Sequence, residues 1–146
     1  MMSFADKVKD ARAARGLTQP QLSEMVGISV RSIVAYETGE KIPRQGTMLK
    51  LAKALQVSVK FLSDENCTNP VEDIEKDGYI EEARERYGAK GGYDMDSLLE
   101  QNRALFAGGE LSQDQKDAYF SALMEAYVLA KEGAKVKFGR KNNGDN

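Results

Sequence analysis

Phe4, Val8 and Ala11 recur at i, i+4 and i+7, the spacing of one helical stripe. The stripe ends at Arg15-Gly16, where the glycine suits a C-terminal cap, so a first helix is predicted from about Ser3 to Arg15. Thr18 followed three residues later by Gln21 has the spacing of a capping box, and Pro20 falls in the first turn, where a missing N–H costs nothing. A second helix therefore starts at Gln19, carries Leu22, Met25 and Val26, and stops at Gly27. Ser29 supplies the N-cap of a third helix, Val30 to roughly Thr38. Gly39 and Pro43 bracket a polar loop, after which Met48, Leu49, Ala52 and Leu55 restore the helical period in a fourth helix. Ser58 caps a short fifth one containing Phe61 and Leu62.

From Ser63 to Pro70 the chain turns polar and loses its period, so a domain boundary is expected there, dividing the chain into 1–66 and 67–146 by a short linker. Val71 to Tyr87 reads as a charged helix, and the three glycines between Gly88 and Gly92 as a flexible break. Met95, Leu98, Leu99, Asn102, Leu105 and Phe106 form the next stripe, ended by Gly108-Gly109. Ser112 and Gln115 make another capping box, and the helix behind it carries Tyr119, Leu123, Ala126, Tyr127 and Ala130 on one face, with Phe120, Met124 and Val128 beside it. The basic tail from Lys135 is expected to fray. Without any strand pattern or internal repeat, the whole chain reads as all-α.

The chain has 146 residues, 41% hydrophobic and 30% charged, which permits one or two small cores. It has no apolar run of about 18 residues to span a bilayer, and its start carries Asp6, Lys7 and Lys9 without an apolar stretch behind them, so a soluble, uncleaved protein is expected. A single cysteine, Cys67, and the absence of histidine remove His-dependent triads and the common zinc sets. No internal disulfide can form, which fits a reducing cytoplasm. Asp94, Asp96 and Glu100 lack calcium-loop spacing, and no phosphate-binding glycine loop occurs, so neither metal, cofactor nor enzymatic activity is expected. The net charge of −2 conceals a segregation. Residues 1–66 hold ten Lys/Arg against seven Asp/Glu, residues 67–132 seven against fifteen, and residues 133–146 four against one. Only the basic head should approach a polyanion.

Between Gln19 and Thr38, Leu22, Val26, Ile28, Ile33 and Tyr36 occupy the positions that must be buried, small Ser23 stands where two helices cross, and Gly27 lies in the turn. That combination describes a helix-turn-helix: the small residue permits close approach, the glycine takes positive φ, and the apolar groups lock the angle. With Arg12, Gly16-Leu17-Thr18-Gln19, Tyr36-Glu37-Thr38-Gly39, Pro43 and the run Leu51 to Ser58, the sequence resembles the Cro/repressor-like (XRE) helix-turn-helix family of phage and bacterial repressors over about Phe4 to Asp64.

The resemblance implies a five-helix lambda-repressor-like domain whose third helix enters the major groove, with Val30, Arg31, Ser32 and Ala35 facing base edges. Arg31 would pair with guanine, and Val30 and Ala35 would touch thymine methyls; Val34 would either reach the DNA or pack on the fourth helix. Thr18 and Gln19 would hold phosphate at the start of the second helix, Thr18 being equally an N-cap, and Lys41, Arg44 and Gln45 would follow the sugar-phosphate backbone. Arg12 and Glu37 stand where relatives hold a structural ion pair.

One such domain buries too little DNA for tight binding, so the second half is expected to dimerise the protein on a palindromic operator in double-stranded DNA. Leu98, Leu105, Phe106, Tyr119, Phe120, Leu123, Met124 and Tyr127 are its candidate interface residues. A dimeric cytoplasmic repressor is the expected function, with no membrane partner. The alternatives are an antitoxin-type autoregulator whose second half binds a protein, and a sensor whose second half takes a small-molecule effector.

Overall fold

The computed structural model describes residues 2–104 and 110–144, with residues 134–144 described by their backbone path alone. Among the described residues there are seven helices and no strand: α1 Phe4–Ala14, α2 Gln19–Val26, α3 Val30–Glu37, α4 Gln45–Leu55, α5 Val59–Ser63, α6 Ile74–Gln101 and α7 Gln113–Gly144. The all-α architecture is as the sequence predicts. Local chemistry sets the first boundaries. Ser3 and Asp6 form a reciprocal capping box on α1, Thr18 and Gln21 one on α2, and the hydroxyls of Ser29 and Ser58 cap α3 and α5.

Each of the first five helices contributes one fully buried apolar side chain: Val8, Leu22, Ile33, Leu51 and Leu62. Tyr36, Met48, Leu55 and Val57 close the same cluster, and Phe4 meets the Tyr36 ring edge-on with centroids 6.3 Å apart. Burying each such side chain contributes about 1.5–3 kcal/mol, so these helices are held by their common core and not by their short individual lengths.

A buried cation closes this core. Lys7 lies beside Val8 on the inner face of α1, and its Nζ donates to the carbonyl oxygens of Phe61 at 2.6 Å, Asp64 at 2.8 Å and Cys67 at 2.8 Å, while standing 4.5 Å from the centroid of the Phe61 ring. All three ammonium hydrogens thereby have acceptors, which is what makes burial of the charge tolerable. The same bonds satisfy backbone carbonyls at and beyond the end of α5.

The described chain divides into two compact units, one reaching Tyr93 and one beginning at Asp94. The polar stretch expected as a linker is instead tied into the first unit. The Ser58 N–H donates to Pro70 O at 2.8 Å, the Val59 N–H donates to Asp77 Oδ2 at 2.8 Å, and Cys67 is buried. Tyr79, Ile80 and Ala83 bury one side of the helix that the sequence presents as merely charged. The compact unit therefore extends past the composition change at Asn66.

The break expected in the glycine-rich stretch falls at Gly88, where φ 73° and ψ −167° kink α6 (Ile74–Gln101) between two helical stretches, and it occupies that one residue where the sequence suggests five. The backbone of the tail that the sequence expects to fray from Lys135 is helical to Gly144. In the second unit, taken by itself, the Tyr119 hydroxyl donates to Asn102 Oδ1 at 2.7 Å and the Tyr127 hydroxyl to Asp94 Oδ2 at 2.8 Å, while Met95, Leu99, Phe120 and Met124 are buried.

Candidate nucleic-acid interface

α2 packs against α3, and its small Ser23 is buried and turns its hydroxyl onto Pro20 O at 2.8 Å, so it leaves no unsatisfied polar group behind. Gly27 follows in the left-handed conformation, φ 79° and ψ 32°, and its N–H and that of Ile28 both donate to Ser23 O at 2.9 and 3.0 Å. A side chain at that φ would be strained, which is the physical reason for glycine in the turn. The chain then re-enters a helix at the Ser29 cap, and α3 leaves the turn in one direction.

The opposite end of α3 is held by charge. Arg12 of α1 grips Glu37 through two parallel bonds, Nε to Oε2 at 2.8 Å and Nη2 to Oε1 at 3.0 Å, and its Nη1 donates to Leu17 O at 2.8 Å. The two side chains retain 17% and 4% exposure. Hydrogen bonding to Glu37 raises the Arg12 pKa above its ordinary value, against the opposing effect of burial. Gln19 Nε2 approaches the same carboxylate at 3.4 Å. The expected ion pair is thus present and joins α1, the start of α2 and the end of α3.

With both ends fixed, α3 presents one face to solvent. At about 100° per residue, Val30, Val34 and Arg31 fall within an arc of about 100°, and all three are exposed, the valines at 38% and 39%. Two of the residues expected to face bases lie off this arc. Ala35 is 7% exposed, its methyl being largely covered by the chain itself. Ser32 is half-buried, with its hydroxyl 3.0 Å from that of Ser29 and its N–H on the same cap. Val34 stands at the surface, one of the two placements its sequence position left open.

Among the residues expected on phosphate, Lys41 and Arg44 are exposed in the loop before α4, which is pinned by the Lys41 N–H on Ala35 O at 3.2 Å. Thr18 is exposed and engaged in its capping box, and Gln19 is half-buried. Gln45 is turned elsewhere: its Nε2 donates to Gly92 O at 3.2 Å and its Oε1 accepts from Arg84 Nη1 at 3.2 Å. A Cβ on Gly46 would lie 2.6 Å from Arg84 Nη2, and one on Gly92 would lie 2.5 Å from Gln45 Oε1, so both glycines make room for this contact. Sequence reading misses Arg84 and Lys7 alike, since their partners lie 39 or more positions away.

Of the candidate interface residues, Phe120 and Met124 are buried within the chain. Leu98, Tyr119, Leu123 and Tyr127 are half-buried, Tyr127 being hydrogen-bonded to Asp94 of α6 and Tyr119 to Asn102 just past its end. Leu105 and Phe106 lie outside the described residues. Leu129, which the sequence does not single out, is the most exposed large apolar side chain of α7 among those described, at 62%.

Comparison with known proteins places these features in a family context. The family model described as Helix-turn-helix matches residues 8–62. The chain is 34% identical over 64 residues to the uncharacterized HTH-type transcriptional regulator YgzD of Bacillus subtilis (strain 168), covering 42% of this chain and 97% of that protein. It is 33% identical over 70 residues to the cryptic phage CTXphi transcriptional repressor RstR of Vibrio cholerae serotype O1, covering 44% of this chain and 62% of that one, so less than two thirds of that relative is spanned. The SPbeta prophage-derived uncharacterized HTH-type transcriptional regulator YonR of Bacillus subtilis (strain 168) is similar over a longer stretch, 26% identical over 132 residues, 88% of this chain and 95% of that protein.

Proposed function

Because this chain belongs to the helix-turn-helix transcriptional regulators of the XRE type, we propose that it is a cytoplasmic repressor that binds double-stranded DNA as a homodimer and acts by occupying a palindromic operator. The observation that carries this reading is the exposed face of α3, which bears Arg31, with Lys41 and Arg44 exposed in the loop that follows, on a helix fixed at both ends by the Gly27 turn and the Arg12–Glu37 pair. A rigid helix bearing one guanidinium and flanking cations suits a major groove: Arg31 pairs with a guanine edge, while Lys41 and Arg44 neutralise phosphates. Thr18 and Gln19 bring the N-terminal N–H groups of α2 to the same backbone.

Dimerisation doubles the DNA contact, because a single small module covers only about 600–1,000 Å². Its support is the apolar surface of the second unit, where Leu98 and Leu123 are half-covered and Leu129 is open. The net acidic charge of residues 67–132 keeps that part of the chain off the DNA. Among the described residues no helix is long and apolar enough to cross a membrane.

The test is selection of bound sequences from random duplex DNA at near-physiological salt, using the full chain. Enrichment of a two-fold palindrome whose half-site centres are about 34–36 Å apart, or a multiple of that spacing, is the expected result. No enrichment with folded protein overturns the proposal.

A further inference from the structure

We infer that Gln45 and Arg84 are positioning residues for DNA binding: through them α6 clamps the first turn of α4 and so holds the neighbouring Arg44 guanidinium against its phosphate; this inference rests on the DNA-binding reading above. Four of the first five helices are begun by local caps, since Ser3, Thr18, Ser29 and Ser58 bond the first turns of α1, α2, α3 and α5 with their own hydroxyls. The start of α4 differs. Its N-cap residue, Arg44, makes no side-chain cap bond, and its first turn holds no acidic residue. A local cap would have occupied the side chain at that position. Arg44 is instead exposed, and the helix start is fixed from a distant part of the chain.

That fixing contact comes from α6. Gln45, next in the chain to Arg44, is held at both ends of its amide, Nε2 donating to Gly92 O and Oε1 accepting from Arg84 Nη1, each at 3.2 Å. A Cβ on Gly46 would meet Nη2, Nε and Cζ of Arg84 at 2.6, 3.0 and 3.0 Å, so the guanidinium lies across the bare Cα of that glycine. A Cβ on Gly92 would meet Arg84 Cγ at 3.0 Å, so the stem of Arg84 is fitted to the second glycine as well. A cation at the first turn faces the positive end of the helix dipole, so the contact does not stabilise α4 through charge. What it supplies is position. The loop before α4 has two other anchors, the Lys41 N–H on Ala35 O at 3.2 Å and the buried Pro43, and both precede Arg44. Gln45 is the anchor that follows it. Without that anchor Arg44 gains freedom that must be lost again when it orders on a phosphate. Gln45, Arg84 and Gly92 all belong to the compact unit that reaches Tyr93, although the family match ends at residue 62. α6 acts through Gln45 and needs no DNA contact of its own.

Gln45→Ala removes the clamp and changes no charge, so its effect on salt dependence separates positioning from direct phosphate contact. Affinity of the full chain for the selected operator is measured between about 50 and 200 mM salt for wild type, Gln45→Ala, Arg44→Ala and the double variant, with thermal unfolding as the folding control. The expected result is that Gln45→Ala lowers the salt slope by about one, as if a cation had been removed, so that its affinity deficit shrinks about three- to fourfold across that range. Arg44→Ala should do the same, and the double variant should lose no more than either alone. Gly46→Ala drives the guanidinium off from the other side, again without altering a charge, and gives the same reading if Gln45→Ala unfolds α4. An unchanged salt slope in the folded neutral variants overturns the inference and leaves the DNA-binding reading intact, as do slope losses that add in the double variant. A further drop of about one when Arg84→Met is added to Arg44→Ala also overturns it, because Arg84 would then hold a phosphate itself. If folded wild-type protein enriches no sequence at all, the DNA-binding reading fails first and takes this inference with it.

Discussion

Replacing Glu37 by glutamine keeps the shape of the side chain but leaves the Arg12 guanidinium without its counter-charge in a site where the two groups have 17% and 4% exposure. Breaking a buried pair by removing one partner costs about 3–5 kcal/mol. The residual exposure of Arg12 and its remaining bond to Leu17 O put this case at the lower end, about 3 kcal/mol. For a unit of this size each kcal/mol lowers the midpoint by about 4–8 °C, so Glu37→Gln should unfold about 12–24 °C below wild type. Urea titration followed by circular dichroism measures the same difference at 25 °C. The double replacement Arg12→Met with Glu37→Met removes both charges together and should cost less than Glu37→Gln alone, because no ion is left unpaired. A Glu37→Gln cost below about 1 kcal/mol, the range of solvated surface pairs, would refute the claim that this contact fixes α3 to α1.

Lys7→Met leaves the carbonyls of Phe61, Asp64 and Cys67 short of a donor, and urea unfolding should show a loss of about 2–4 kcal/mol despite the apolar surroundings. The Cys67 thiol has its pKa pushed up, first by burial and then by its bond to Glu72, so its protonated form is the one that stabilises the fold. That contribution is whole below the unfolded thiol value of about 8.5 and is lost as pH rises through and above it. Stability should therefore fall across this window more steeply in wild type than in Cys67→Ala, and alkylation of the native thiol should be slow until the chain unfolds. Gly46→Ala forces a methyl against Arg84 and should disrupt its bond to Gln45; placed in an Arg84→Ala background, the same change should instead stabilise by up to about 1 kcal/mol through helix propensity, as thermal unfolding would report.

The first five helices were legible because their signals are local. Ser3, Thr18, Ser29 and Ser58 cap helices within three residues of themselves, and Gly27 ends α2 by its own φ. The face of α3 was legible only in part: the exposure of Val30 and Arg31 follows from the start of the helix, whereas the burial of Ala35 and the exposure of Val34 depend on how far α3 rotates against its neighbours. Long-range polar contacts left no trace in local pattern. Lys7 looks like any surface lysine until Phe61, Asp64 and Cys67 bring their carbonyls to it, and Asn66 looks like a boundary because polar composition conceals the backbone bonds made by Ser58 and Pro70. Gly92 resembles a flexible break because the sequence cannot show that Gln45 lies where its side chain would be.

The central claim, that the exposed face of α3 reads bases while the following loop holds phosphate, is tested most directly by comparing Arg31→Ala with Lys41→Ala across a panel of single base-pair variants of the selected operator at several salt concentrations. Arg31→Ala should lose about 1–3 kcal/mol on the intact operator and become indifferent to one base pair, with the other positions still discriminated. Lys41→Ala should weaken all sequences alike and reduce the salt slope by about one. Uniform losses on every sequence for both variants would contradict the account.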